Sequence, residues 1–295
     1  MNSPATSGHI AVARHTHQTA PTQYVEANGI RFAYRRFGKP QGVPLVFNIH
    51  FTGTMDHWDP AVTDGLAEDR EVILFNNAGI SSTSGDVPES IEEMAAHAAA
   101  FIKALGLTTV DVLGFSMGGL IAQTLAIAEP ALVRRVILVG TGPRSGEAMS
   151  SLTPEAQAIF GATYAQPDDL WLRVHFAPSA ASQAAGRRFL RRFRLRVEGR
   201  DPEAGDKVAP AQLAALAKWG APRDNPFDYL RALKQPTLVV NGDNDVIIYS
   251  INSWILQQNL PNAQLIIYPD ANHGSLYQYP ERFVAHAREF LSAHD

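Results

Sequence analysis

Val110-Asp111-Val112-Leu113-Gly114-Phe115-Ser116-Met117-Gly118-Gly119-Leu120-Ile121-Ala122-Gln123 reads as a short apolar run, then Gly-x-Ser-x-Gly, then a helix-forming segment. That order encodes a strand that stops, turns sharply and passes at once into a helix, with the serine hydroxyl held clear of the backbone at the apex. The positive end of the new helix lies beside that hydroxyl. Residues 114 and 118 must be small, because strand and helix approach too closely for a Cβ. Composition alone produces a bare GxSxG in about one chain in ten of this length. The weight therefore falls on the flanking elements and on partners further along the chain.

Strand and helix patterns alternate on both sides of this stretch. Upstream, Tyr24–Ala27 and Ile30–Phe37 flank Asn28-Gly29, a strong hairpin signal. Pro44–Ile49 (PLVFNI) and Glu71–Phe75 (EVILF) are continuous apolar runs of strand length, as expected for strands buried on both faces. Helical stretches over Trp58–Ala67 and Ser90–Leu105 separate the runs. Downstream come a helix to Ala128, a strand at Arg134–Val139, strands at Pro236–Val240 and Ala263–Tyr268, and helices near 250–259 and 280–292. The pattern predicts an α/β fold: a mostly parallel sheet of about eight strands with helices on both faces. Residues 144–230 break the alternation. They are helical, rich in Ala and Arg, and read as a cap inserted into a core made of 23–143 and 231–295. Residues 1–22 lack an apolar signal-peptide segment and read as a loosely ordered tail, in which Ile10–Arg14 is the one stretch with strand character.

The chain has 295 residues, 45% of them hydrophobic and 18% charged, enough for a substantial core. A net charge of −4 makes no electrostatic case for nucleic acid. No run approaches 18 apolar residues, so no membrane span is expected. The absence of cysteine excludes disulfides, thiolate metal sites and a cysteine nucleophile, and fits a reducing cytoplasm. Oligomeric state leaves no trace in the sequence.

In an open α/β sheet, functional groups gather where strands end at their carboxyl edge. The reactive residues placed there are His50-Phe51-Thr52, Asn76-Asn77, Ser116, Thr141, the pair Asp243 and Asp245, and His273. Serine is a poor nucleophile at neutral pH and needs a base within hydrogen-bond reach. A histidine takes its proton, and a carboxylate on the other ring nitrogen fixes the tautomer. Nucleophile, acid and base then follow in the order Ser, Asp, His. His57 stands between Asp56 and Asp59, but with no cysteine and no second histidine at helical spacing it reads as a solvated helix start. No metal and no cofactor are expected.

On Gly114–Gly119, Gly242–Asp245 and Ala271–Gly274, over about residues 24–143 and 231–295, the chain resembles the α/β-hydrolase superfamily, in particular serine hydrolases of the esterase, cofactor-free haloperoxidase and lactonase type. The resemblance implies Ser116 as nucleophile, His273 as base and Asp245, rather than Asp243, as acid. It also implies an oxyanion hole with one N–H from Met117, the residue after the nucleophile, and one from the loop after PLVFNI. Relatives usually carry His-Gly-x there, where this chain has His50-Phe51-Thr52. Alignment points to Thr52 as donor, with Phe51 as the other candidate, and His50 reads as a residue that holds the loop by hydrogen bonds. A substrate pocket is expected from Phe51, Phe160, Tyr164, Trp171, Phe176, Trp219, Ile247 and Leu276. The arginines between 187 and 200 read as the hydrated face of a cap helix, with guidance of an acidic substrate as the weaker alternative.

The expected activity is hydrolysis of a small to medium, largely apolar carboxylic ester or lactone through an acyl-enzyme on Ser116. A carbon–carbon bond hydrolase, an acyltransferase or a perhydrolase would use the same triad. A ligand-binding, receptor-like protein on this scaffold is a further alternative, since fold alone does not fix function. Haloalkane dehalogenase and epoxide hydrolase are disfavoured, because their nucleophile position holds aspartate where this chain has Ser116.

Overall fold

The computed structural model describes residues 15–293. β1 (Gln23–Ala27) and β2 (Ile30–Gly38) form an antiparallel hairpin. Its two-residue loop, Asn28-Gly29, has φ of 50° and 77°, the left-handed pair that a tight hairpin turn requires. Then follow β3 (Leu45–Asn48), α1 (Pro60–Ala67), β4 (Glu71–Phe75), α2 (Ile91–Ala104), β5 (Val110–Phe115), α3 (Met117–Ala128) and β6 (Val133–Val139). Four helices, α4 (Pro154–Gly161), α5 (Pro167–His175), α6 (Ala180–Phe193) and α7 (Val208–Gly220), lie between β6 and β7 (Thr237–Gly242). The chain closes with α8 (Ile251–Asn259), β8 (Ala263–Tyr268), α9 (Ser275–Gln278) and α10 (Pro280–Ser292).

The eight strands form one sheet in the order β1-β2-β4-β3-β5-β6-β7-β8, parallel from β4 to β8. β2 pairs antiparallel with β4. Successive residues of each central strand enter opposite cores. Val46, Val112 and Val239 face the core with α2 and α3, while Leu45, Leu113 and Val240 face the core with α1 and α10. Burial on both faces is why these strands are continuously apolar rather than alternating. The chain leaves β3 outward to β4 and returns to β5 on β3's other side. The carboxyl ends of β3 and β5 thus flank a switch point, where an open α/β sheet leaves a crevice.

Residues 15–22 are packed rather than loose, which corrects the expectation for that part of the tail; residues 1–14, including Ile10–Arg14, lie outside the described residues. His17 is buried against α1, with its N–H donated to Asp64 at 2.7 Å and Nδ1 3.0 Å from Thr63 Oγ1. Its carbonyl accepts from Arg196 of the inserted segment at 3.0 Å. These ties are polar and long-range, so composition could not reveal them. The Asp56 region is corrected as well. Asp56 is buried and takes a two-pronged contact from buried Arg35, at 2.7 and 3.2 Å. It also accepts the Asp201 N–H at 2.6 Å, which fastens the inserted segment to the sheet. Asp59 caps α1 through Ala61 N–H and pairs with Arg192 of α6. The charges that suggested a solvated helix start are spent on binding the insertion to the core.

Candidate active site

Ser116 stands between β5 and α3 with φ 56° and ψ −121°, a conformation that costs a non-glycine residue energy and is typical of functional turns. The turn is possible because its neighbours lack side chains. A Cβ on Gly114 would lie 2.3 Å from the Gly118 carbonyl oxygen, and one on Gly118 would lie 2.0 Å from that of Asn48. The next N–H, of Met117, opens α3 and has no carbonyl behind it in the helix.

Asp245 follows β7, and its Oδ2 lies 2.9 Å from His273 Nδ1. Its Oδ1 accepts the N–H groups of Ile247 and Ile248 at 2.9 and 3.0 Å, so the carboxylate is fixed in place. Asp243 is exposed and turns away to accept the Ala271 N–H. Between the two acids, Asp245 meets the histidine. Nδ1–H donation to Asp245 leaves Nε2 as the ring atom available as a base. Asn272, one residue before the histidine, accepts from Val246 N–H and donates to the Arg173 carbonyl of α5. Gly274 N–H donates to the His175 carbonyl at 2.9 Å.

Thr52 is not arranged as alignment predicts. It occupies the left-handed region (φ 54°), and its N–H is donated to Gln212 Oε1 of α7 at 2.7 Å. Phe51 N–H has no hydrogen-bond partner among the described residues. His50 holds the loop: its Nδ1 donates to the Phe51 carbonyl at 2.8 Å. Burial, with the neighbouring His57, lowers the His50 pKa to about 3, so the ring is neutral at physiological pH.

Ser116 and His273 border a cavity of about 590 Å³. Of the expected pocket residues, Phe51, Phe160, Trp171 and Ile247 line it. The other four do not. Phe176 and Leu276 are buried in the core beneath the inserted helices. Trp219 packs edge-on against Tyr229, under the Arg144 guanidinium. Tyr164 turns its hydroxyl to the Ile159 carbonyl. An aromatic on an amphipathic helix carries the same sequence signal whether it faces a cavity or a core. Sequence reasoning missed His57, Leu170, Val174, His175 and Ala209 in the lining. His57 is buried and stacks on His50 at 5.6 Å, while His175 stacks on His273 at 5.9 Å. Burial, chiefly, holds the His175 pKa well below its ordinary value. The spacing of Trp171, Val174 and His175, one face of α5, was the available clue. Among the described residues no Lys or Arg borders the cavity; its acidic lining residues there are Glu203 and Asp206.

Among the described residues no cluster of His, Cys, Asp or Glu is placed to hold a metal, and no helix is long and apolar enough to cross a membrane.

Residues 43–280 match the profile of the alpha/beta hydrolase fold family. An alpha/beta hydrolase fold protein from Chitinophaga pinensis is 40% identical and superposes with a TM-score of 0.89 over 95% of this chain and 100% of its own. Est816, an N-acyl homoserine lactone degrading enzyme, is 26% identical with a TM-score of 0.70 over 91% of this chain and 100% of its own. A 2-hydroxymuconate semialdehyde hydrolase of Pseudomonas putida is 30% identical over 230 residues, 74% of each chain.

Proposed function

Given that the chain belongs to the alpha/beta hydrolase fold family, we propose that it is a serine hydrolase acting on uncharged, largely apolar carboxylic esters or lactones. The observation that carries this reading is the 2.9 Å contact of His273 with Asp245 beside a strained Ser116, around one cavity. His273 Nε2 takes the Ser116 proton as Oγ attacks the carbonyl carbon. Asp245 keeps Nδ1 protonated and steadies the imidazolium that forms. The N–H groups of Met117 and Phe51 receive the oxyanion: of the two loop candidates, Thr52 N–H is taken by Gln212, while Phe51 N–H has no partner among the described residues. Collapse of the intermediate breaks the ester bond, and His273 returns the proton to the leaving oxygen. Water, deprotonated by the same ring, then frees Ser116.

The cavity supports the substrate class. Its size suits a small to medium ligand, and Phe51, Phe160, Leu170, Trp171, Val174 and Ile247 provide an apolar wall. With no cationic side chain in the lining and two carboxylic residues bordering it, a substrate carboxylate would lack a partner. That weighs against ring-cleavage ketone acids, and so against the carbon–carbon hydrolase alternative.

A fluorophosphonate probe is expected to label Ser116, and Ser116→Ala is expected to lose at least roughly 10⁴-fold in activity on a p-nitrophenyl ester. An active protein whose Ser116 stays unlabelled sinks the reading. A panel of neutral esters, lactones and carboxylate-bearing ketones should give its highest kcat/KM among the neutral compounds.

A further inference from the structure

The loop after β3 is gripped from two sides. The peptide joining Phe51 to Thr52 offers its carbonyl to His50 Nδ1–H at 2.8 Å and its N–H to Gln212 Oε1 at 2.7 Å. His50 belongs to the sheet's own loop, but Gln212 comes from α7, 160 residues further along the chain. Gln212 is fully buried, and Ala209, one turn earlier on the same helix, lines the cavity. Its Nε2 has no hydrogen-bond partner among the described residues. The buried amide is thus spent on the Thr52 contact, and an apolar side chain in its place would free Nε2 from its unpaired burial but leave the Thr52 N–H without its acceptor.

Fixing both polar atoms of one peptide fixes its plane, and through it the backbone on either side. Without Gln212, the Thr52 N–H would lose its acceptor, and a threonine at φ 54° would have less to hold it in the left-handed region. The plane could then turn and carry the neighbouring Phe51 N–H with it. We propose that Gln212 is a positioning residue for acyl transfer: together with His50 it clamps the Phe51–Thr52 peptide and so sets the loop's oxyanion donor. It rests on the serine hydrolase reading above. It also makes the seating of α7 a determinant of transition-state stabilisation.

The test compares wild type, Gln212→Met and Gln212→Glu by ester kinetics, by the rate of Ser116 phosphonylation with a fluorophosphonate, and by thermal melting. Loss of a whole oxyanion donor costs roughly 10²–10³-fold. A displaced one should cost about 10–100-fold, so Gln212→Met should lose that much in kcat and in phosphonylation rate, with KM changed less than about threefold. Glutamate keeps an acceptor oxygen for Thr52 N–H but brings a negative charge near the developing oxyanion once ionised. The Gln212→Glu to wild-type rate ratio should therefore fall as pH rises. A folded Gln212→Met protein phosphonylated at the wild-type rate overturns the proposal. Should that variant fail to fold, a pH-independent ratio for Gln212→Glu overturns it instead. Wild-type protein that takes no label at Ser116 would sink the underlying serine hydrolase reading rather than the role of Gln212.

Discussion

The acid–base side and the oxyanion side of Ser116 are held together by different parts of the chain. On the first side, Asp245 takes two backbone N–H groups from its own loop on Oδ1 and meets His273 with Oδ2. The inserted helices touch this side at the backbone of Gly274, at Asn272 and through His175 stacked on the His273 ring, but the Asp245–His273 hydrogen bond is made without them. On the second side, Thr52 N–H is satisfied by a side chain of α7. One half of the site is thus a property of the sheet and its short loops, and the other is shared with the insertion. A disturbance of the insertion should appear in transition-state stabilisation before it appears in proton transfer.

The strongest way to break the acid–base side alone is Asp245→Asn. An amide at that position no longer holds the productive histidine tautomer, and kcat should fall about 10⁴-fold with little change in KM or melting temperature. A loss below tenfold would move the acid elsewhere, with Asp243 the next candidate.

Asp56→Ala attacks the attachment of the insertion without touching the triad. It leaves the buried Arg35 guanidinium short of its two-pronged partner and removes the acceptor of Asp201 N–H. Breaking a buried ion pair on one side costs about 3–5 kcal/mol, to be read by denaturant unfolding. If unfolding is unchanged, the network does not anchor the insertion.

The smallest expected effect is a pH dependence of stability. Burial, chiefly, lowers the His17 and His50 pKa values from 6.5 to about 3. Between these limits the unfolded chain binds a proton that the folded chain does not, so stability is present above pH 6.5 and is lost as pH falls toward 3. From pH 7 to pH 5 each ring should cost about 2 kcal/mol. His175, whose pKa is also lowered by burial, adds to the same effect; urea midpoints at the two pH values measure the combined loss, and His17→Gln should reduce it by about 2 kcal/mol. Equal midpoints would show that these rings are not held neutral.

The contrast between the two sides also separates what could be read in the sequence from what could not. The elbow and its helix, the hairpin at Asn28-Gly29 and the buried parallel strands were all legible, because each depends on local periodicity or on glycines at a tight turn. Ser116, Asp245 and His273 were legible as strand-end residues in a fixed order. Thr52 was misjudged, because which way a peptide plane faces depends on its partner, and that partner is 160 positions away. Tyr164, Phe176, Trp219 and Leu276 failed as pocket residues for a related reason: apolar spacing marks the buried face of a helix but not what it is buried against.

By itself the sequence determined the sheet, the elbow and the residue types at the strand ends, since backbone strain and hydrophobic period act over a few residues. Only the tertiary structure decided that His17 and Ala20 are buried while His17 ties residues 15–22 to α1 and to Arg196, and that three further histidines gather around the cavity beside His273. It also decided that the Thr52 N–H, rather than that of Phe51, is taken up by Gln212. Hydrogen bonds and ring stacking act over a few ångströms of space whatever the separation along the chain, and the fold alone sets which groups come that close.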